Sequence, residues 1–77
     1  MSDLEIRPIF SQRLRLRLEE LGMTQKDLCD KTGIDKSLMS RYFNGVYLPR
    51  LDALISLSNG LQCSPNYLMQ GLYNESF

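Results

Sequence analysis

Three polar side chains between positions 36 and 41 are the best candidates for chemistry in this sequence. Arg41 can donate two parallel hydrogen bonds to O6 and N7 of guanine, and Lys36 can donate to the same atoms or to a phosphate. Ser37 is short and adapts to several base edges. The three residues, Lys36, Ser37 and Arg41, therefore predict direct contact with the bases of double-stranded DNA.

A second group of polar side chains suits the DNA backbone. Gln25 opens a predicted helix, and its side chain together with the helix N-terminus would hold a phosphate. Tyr47 can donate its hydroxyl to a phosphate, although its ring could equally pack over the surrounding loop. Arg50 stands at an N-cap, where Ser, Thr or Asp would stabilise a helix better, so it is either a phosphate ligand or an ordinary exposed arginine. The expected backbone contacts are Gln25, Lys26, Ser40, Asn44, Tyr47 and Arg50.

Catalysis lacks its usual side chains in this sequence. The chain has no histidine, no clustered carboxylates and no glycine-rich phosphate loop, so we expect no enzyme activity and no catalytic residue. Cys29 and Cys63 do not have metal-ligand spacing; Cys29 is expected to be a buried free thiol, and both suit a reducing cytoplasm. No apolar run reaches the ~18 residues that a membrane span requires. We expect no metal, cofactor, small-molecule ligand or membrane partner.

The candidate DNA-binding side chains lie on or beside two short predicted helices joined by a tight turn. Thr24 and Asp27 have the spacing of a capping box, in which each side chain binds the other residue's backbone N–H. Gly33 lies where the first of these helices must end in a sharp bend, which favours a residue without Cβ. Asp35 is a good N-cap for the second helix, and Gly45 would close it. This arrangement predicts a helix-turn-helix, whose second helix has the polarity of a DNA recognition helix.

The second helix, at about residues 36–43, has one apolar and one polar side. Met39 and Tyr42 are three positions apart and share a face, so we expect both to be buried. The edge from Lys36 to Arg41 is then expected to stay open to solvent. The base-contact prediction depends on this separation.

Apolar residues at helical spacing predict three further helices around this motif, within one domain. The arginines of the first helix could contact phosphates, but a solvated helix face is the more frequent arrangement and is the one expected. The expected segments are an N-terminal arm at 1–8 that ends at Pro8, a first helix at 9–21, a fourth helix at 51–59, a fifth helix beginning at Ser64-Pro65, and a C-terminal tail at 72–77. The expected core residues of the first and fourth helices are Phe10, Leu14, Leu18, Leu21, Leu51, Leu54, Ile55, Leu57 and Leu61.

The motif residues follow the pattern Thr24-Gln25-x-x-Leu28, Gly33-Ile34, Ser40-Arg41-Tyr42-x-Asn44-Gly45-x-x-x-Pro49 and Ser64-Pro65-Asn66-Tyr67-Leu68. This pattern resembles that of the Xre/Cro family of phage-repressor-type DNA-binding domains, over roughly residues 9 to 71. The resemblance implies an all-α, five-helix, lambda-repressor-like DNA-binding domain that occupies the single domain 1–77. Several members of that family pair an arginine with a glutamate where this sequence has Leu18 and Phe43, so apolar packing is expected to replace the ion pair.

The resemblance also implies a function. The expected activity is that of a sequence-specific transcriptional regulator, a phage or prophage repressor or a Cro-like protein that reads a palindromic operator through the major groove. Such a protein would act as a homodimer, formed beforehand or only on DNA, in the nucleoid of the bacterial host cytoplasm. Repression and activation stay open, as does whether the chain is complete or the N-terminal part of a longer repressor. The residues expected at the dimer interface are Tyr67, Met69, Leu72, Tyr73 and Phe77.

The charge balance supports a second hypothesis. The formal net charge is zero and the pI is about 6.1, whereas a strongly basic domain is expected for indiscriminate nucleic-acid binding. The loop after Gly45 is also poor in lysine and arginine. Both features favour an alternative, a protein-interaction module of the same fold such as an antitoxin or an anti-regulator.

Overall fold

The computed structural model describes residues 2–69, and within that range the regular structure is entirely α-helical. The second helix packs against the third and the fourth, while the first helix packs against the third and the fifth. This architecture confirms the all-α, lambda-repressor-like fold expected from the sequence. The helices are α1 (Asp3–Glu20), α2 (Gln25–Thr32), α3 (Lys36–Phe43), α4 (Leu51–Gly60) and α5 (Pro65–Leu68).

One hydrophobic core joins side chains from all five helices. Most of the predicted core residues of α1 and α4 lie in this core or pack against it. The helices α2 and α3 lie side by side and bury their apolar residues in the same core. The buried apolar residues are Phe10, Leu14, Leu28, Met39, Tyr42, Phe43, Leu54, Leu57, Leu61 and Leu68.

The first helix begins earlier than the sequence suggested, at Asp3, so the prediction of an N-terminal arm is wrong for residues 3–8. Ser2 is the N-cap, and its backbone N–H donates to Oε1 of Glu5 at 2.8 Å, as in a capping box. Ile6 packs against the core, which anchors the added turns. Pro8 suggested a helix boundary, because a proline inside a helix removes one backbone hydrogen bond and its ring crowds the carbonyl group four residues earlier. The helix nevertheless continues through Pro8.

The helix-turn-helix has the predicted caps. The backbone N–H of Thr24 donates to Oδ2 of Asp27 at 3.0 Å, and the backbone N–H of Asp27 donates to Oγ1 of Thr24 at 3.1 Å. The bond from the Thr24 backbone N–H stabilises the ionised carboxylate and holds the pKa of Asp27 below its usual value. Gly33 ends α2 with a φ of 78°, in the left-handed region, and Asp35 caps α3 by accepting a hydrogen bond from the backbone N–H of Leu38 at 2.9 Å.

The fourth helix buries a narrower stripe than expected. Leu54 and Leu57 are buried as predicted, but Leu51 is 73% exposed and Ile55 is 43% exposed, so their assignment to the core is wrong. Leu51 and Ile55 are four positions apart and therefore share one flank of α4, beside the buried stripe. Gly60, at the end of the helix, is buried against α2.

Arg17 ties α1 to the turn after α4. Its Nε donates to the carbonyl oxygen of Leu61 and its Nη2 to that of Gln62, both at 2.9 Å. Its Nη1 also forms an ion pair with Glu20 at 3.2 Å. The prediction that the α1 arginines form a solvated face is therefore wrong for Arg17, because it satisfies carbonyl groups that the end of α4 leaves open.

Candidate nucleic-acid interface

The third helix separates its side chains as the sequence predicted. Met39 is fully buried and Tyr42 is only 4% exposed, and burial raises the pKa of the Tyr42 hydroxyl. Lys36, Ser37 and Arg41 are exposed on the opposite side of the helix. The structure thus presents the three candidate base contacts on one open surface, while their contact with DNA stays a prediction.

A groove between α2 and α3 gathers several of the predicted contacts. Its volume is about 340 Å³, and its walls are formed by the first two turns of each helix. Both helix N-termini carry a partial positive charge, which suits a phosphate near the rim. This α2–α3 groove is lined by Gln25, Lys26, Cys29, Asp30, Lys36 and Ser40.

In the α2–α3 groove, Cys29 is less buried than expected, and Lys26 already has an ion-pair partner. Cys29 was expected to be buried, but it is half-buried and lines the groove, because one step along the helix turns it away from the fully buried Leu28. Lys26 lies 3.7 Å from the carboxylate of Asp30, in an exposed ion pair. An exposed pair of this kind is weak, so Lys26 can exchange its partner for a phosphate.

Arg15 is the residue of this region that sequence reasoning missed. Its Nε and Nη2 donate to the carbonyl oxygen of Phe43, at 3.0 and 2.6 Å, and its Nη2 also donates to Oδ1 of Asn44 at 3.1 Å. These bonds place a cation at the negative end of α3. Phe43 is buried and Leu18 packs against the core, as expected if apolar packing replaces the ion pair found in several family members. Arg15 adds a hydrogen-bonded connection between α1 and the end of α3.

Asn44 and Ser40 hydrogen-bond to each other. The Nδ2 of Asn44 donates to Oγ of Ser40 at 3.2 Å, while its Oδ1 accepts from Arg15. Ser40 is half-buried and Asn44 is exposed. Both were predicted as backbone contacts, and the amide of Asn44 retains a second N–H with which it can donate to a phosphate.

The end of α3 fixes the start of the following loop. Gly45 has a φ of 72°, and its N–H donates to the carbonyl oxygen of Tyr42 at 3.2 Å. The N–H of Val46 donates to the carbonyl oxygen of Arg41 at 2.9 Å. The two bonds form a Schellman motif, which gives the loop a defined direction as it leaves the helix.

The same loop is held from the other side by α1. Nη1 of Arg7 donates to the carbonyl oxygen of Val46 at 2.6 Å. Tyr47 follows directly and is 48% exposed, and its ring centroid lies 5.9 Å from the guanidinium carbon of Arg41. A predicted backbone contact, Tyr47, therefore lies within cation–π distance of a predicted base contact, Arg41.

The remaining predicted site residues lie outside α2 and α3. Arg50 is exposed at the N-cap of α4. Tyr67, an expected dimer contact, is exposed with the guanidinium carbon of Arg17 6.0 Å from its ring centroid, and Met69 is half-buried against the core. The other expected dimer contacts, Leu72, Tyr73 and Phe77, lie outside the described residues.

The described part of the chain offers no alternative centre for metal chemistry. Among residues 2–69, no three His, Cys, Asp or Glu side chains come together in a way that could hold a metal ion. None of the helices in this range is both long enough and apolar enough to cross a membrane.

Comparison with known proteins gives consistent matches. A family model described as helix-turn-helix matches residues 14–68. An uncharacterised HTH-type transcriptional regulator of Bacillus subtilis, YqaE, is 34% identical over 67 residues, which cover 87% of this chain and 58% of that protein. Repressor protein C2 of Salmonella phage P22 is 32% identical over 63 residues, covering 82% of this chain and 29% of that protein. The chain thus spans less than two thirds of each of these relatives.

A solved structure gives the same result. The solution structure of the DNA-binding domain of the P22 C2 repressor matches with a TM-score of 0.76 and 30% sequence identity. The match covers 86% of this chain and 87% of that domain. The similarity therefore extends over nearly the whole of the solved domain.

Proposed function

The chain belongs to the helix-turn-helix family, and on this basis we propose that it is a sequence-specific transcriptional regulator that binds double-stranded DNA. One observation carries the proposal: Lys36, Ser37 and Arg41 are exposed on α3, while the opposite side of that helix is buried. A helix that is held in place by a buried face and carries hydrogen-bond donors on its exposed face can present those donors to base edges without rearrangement. We call α3 the recognition helix.

In this proposal the recognition helix enters the major groove, with its N-terminal half towards the bases. Arg41 donates to O6 and N7 of a guanine, and Lys36 donates to a base edge or a phosphate. Gln25, at the start of α2, holds a phosphate at the rim of the α2–α3 groove. Gln25 and Lys36 line the same groove, and Arg41 is exposed on the same helix as Lys36, which supports a single docked orientation.

Two copies of the domain bind one operator in this proposal. A single module buries too little surface for tight and specific binding, and paired domains read half-sites about 34 Å apart. The described residues measure 36 × 21 × 21 Å, so neighbouring copies on one face of the duplex would lie close to each other. Sedimentation of the protein with a palindromic duplex tests this, and one subunit per palindrome would contradict it.

We further propose repression as the outcome of binding, in the cytoplasm of a bacterial host. One relative is named a repressor of a Salmonella phage and another an HTH-type transcriptional regulator. A domain that occupies an operator can block transcription without a further activity of its own. These relatives favour the regulator over the protein-interaction module that the neutral charge suggested.

Selection of bound sequences from a random duplex pool tests the function directly. The protein should enrich one palindromic sequence, and changing Lys36 or Arg41 to Ala should cost about 1–3 kcal/mol of binding free energy at particular base pairs. Lys31→Ala is the matched control, because Lys31 is an exposed lysine in the last turn of α2, away from the α2–α3 groove.

Two results would contradict parts of the proposal. Equal losses across all duplexes would make Lys36 and Arg41 phosphate contacts rather than base contacts. Failure to enrich any sequence would remove the regulator function itself.

A further inference from the structure

We propose that Tyr47 is a positioning residue for Arg41 and thereby determines how strictly the recognition helix reads one base pair. This inference rests on the proposed function and deepens it. It assigns Tyr47 a role through its ring, whereas the sequence suggested a role through its hydroxyl.

The first support is the proximity of the Arg41 guanidinium to the Tyr47 ring. The guanidinium carbon of Arg41 lies 5.9 Å from the centroid of the Tyr47 ring, within the range in which a cation is attracted to an aromatic face. Both side chains are exposed, so nothing else in the core fixes the long arginine side chain. The ring therefore restricts the orientations that Arg41 can adopt before DNA arrives.

The second support is that the backbone delivers the ring to this place. The N–H of Val46 donates to the carbonyl oxygen of Arg41 itself, and the carbonyl oxygen of Val46 accepts from Arg7. Both backbone polar groups of Val46 are thus engaged immediately before Tyr47. The distance between the Arg41 and Tyr47 backbones is set by the fold, and the contact does not depend on a freely moving loop.

The third support is the chemistry of a guanidinium. A guanidinium has five N–H donors, and attraction to an aromatic ring occupies none of them as a conventional hydrogen bond. Those donors are the ones that pair with O6 and N7 of guanine. An Arg41 side chain held beside the ring is accordingly preorganised for a base contact, and less rotational freedom is lost when it binds.

The contact can be measured first in the free protein. Ring currents of Tyr47 should shift the NMR signals of the Arg41 side-chain protons, and Tyr47→Leu should abolish that shift while Tyr47→Phe preserves it. The Arg17–Tyr67 pair, with a separation of 6.0 Å, is an internal reference that both variants should leave unchanged. An Arg41 signal unaffected by Tyr47→Leu would overturn the inference without involving DNA.

The consequence can then be measured on DNA. The probe is the duplex selected from the random pool, together with its variants at the base pair that Arg41→Ala no longer discriminates. Tyr47→Leu should lower discrimination at that pair by about two- to fivefold, the size expected of an exposed cation–π contact, and Tyr47→Phe should retain it. Val46→Ala, a change at the exposed neighbour in the same loop, is the matched control.

A coupling experiment separates positioning from a general loss of stability. In protein that already carries Arg41→Ala, Tyr47→Leu should cause no further loss of discrimination. Equal losses on all duplexes for Tyr47→Phe would instead assign the hydroxyl to a phosphate and overturn the inference. If wild-type protein selects no sequence at all, the proposed function fails; if it discriminates and Tyr47→Leu discriminates equally well, only this inference fails.

Discussion

Arg15 joins the first helix to the end of the recognition helix through three hydrogen bonds from one guanidinium. Two of them end on the carbonyl oxygen of Phe43, a group that the last turn of a helix leaves without an internal partner. The arrangement stabilises α3 at the end opposite to its Asp35 cap. A single side chain thus stabilises the end of the recognition helix alongside the Schellman motif at Gly45.

Replacing Arg15 by Ala should lower the free energy of unfolding by about 1–2 kcal/mol, because hydrogen bonds from a charged donor are lost while the Phe43 carbonyl can be only partly rehydrated. Urea denaturation measures the change. The control is Lys26→Ala, which removes an exposed ion pair with Asp30 and should cost less than about 0.5 kcal/mol. Equal costs for the two variants would contradict the role given to Arg15.

Residue types and spacing predicted some roles at this scale and missed others. The exposure of Lys36 and Arg41 and the capping by Asp27 follow from helical geometry within one short segment. Arg15 could not be found in that way, because its acceptor is a backbone carbonyl 28 positions away. Every residue carries such a carbonyl, so the sequence holds no sign of which one is used.

Helix boundaries were predicted well where caps were recognised and poorly where they were overlooked. Ser2 and Glu5 have the same spacing as Thr24 and Asp27, and attention to that spacing would have placed the start of α1 correctly. The proline at position 8 outweighed this signal in the sequence interpretation. Tertiary packing supports the earlier start, since Ile6 in the added turns packs against the core.

The exposed flank of α4 shows a different error, in which residues that were predicted to be buried are exposed. Leu51 and Ile55 have the helical spacing of core residues, yet the described residues leave that flank open. A helix amphipathic over a wide arc does not reveal which part of the arc will be covered. That depends on how far neighbouring helices lie from it, which the sequence of α4 alone does not contain.

The close approach of α2 and α4 gives a prediction at the scale of elements. A Cβ at Gly60 would lie 2.9 Å from Cδ1 of Leu28 and 2.9 Å from Cγ2 of Thr32. Gly60→Ala should therefore destabilise the fold by about 1–2 kcal/mol, although alanine is the better helix former, because overpacking outweighs propensity. Thermal or urea unfolding gives the measurement.

Asn59→Ala is the control for Gly60→Ala, since Asn59 is the exposed neighbour in the same helical turn. It should leave stability within about 0.5 kcal/mol of the wild type. A stabilised Gly60→Ala protein would show that α2 and α4 can move apart without cost.

The molecule as a whole combines a neutral net charge with a local group of cations. The chain has nine lysines and arginines and nine aspartates and glutamates. Several arginines are used internally, including Arg7, Arg15 and Arg17, each of which donates to backbone carbonyls. Few cations remain exposed for the proposed contact with DNA: Lys26, Lys36, Arg41 and Arg50.

This distribution predicts a shallow salt dependence of DNA binding. If all four of these side chains neutralise phosphates, the logarithm of the binding constant should fall with the logarithm of salt concentration with a slope no steeper than about −4 per domain. Fluorescence anisotropy titrations at several salt concentrations give the slope. A steeper slope would mean that cations outside the recognition surface also contact the duplex.

The bond between Arg7 and the Val46 carbonyl has a practical consequence for work with this protein. The opening residues look dispensable when the sequence is inspected by eye, and a shortened version starting at residue 9 would be a natural choice for expression. Such a truncation would remove the Arg7 side chain, which donates a hydrogen bond to the loop that carries Tyr47. The shortened protein would then discriminate less well between DNA sequences. The cause would be the missing N-terminal residues and not a defect in the side chains that contact DNA.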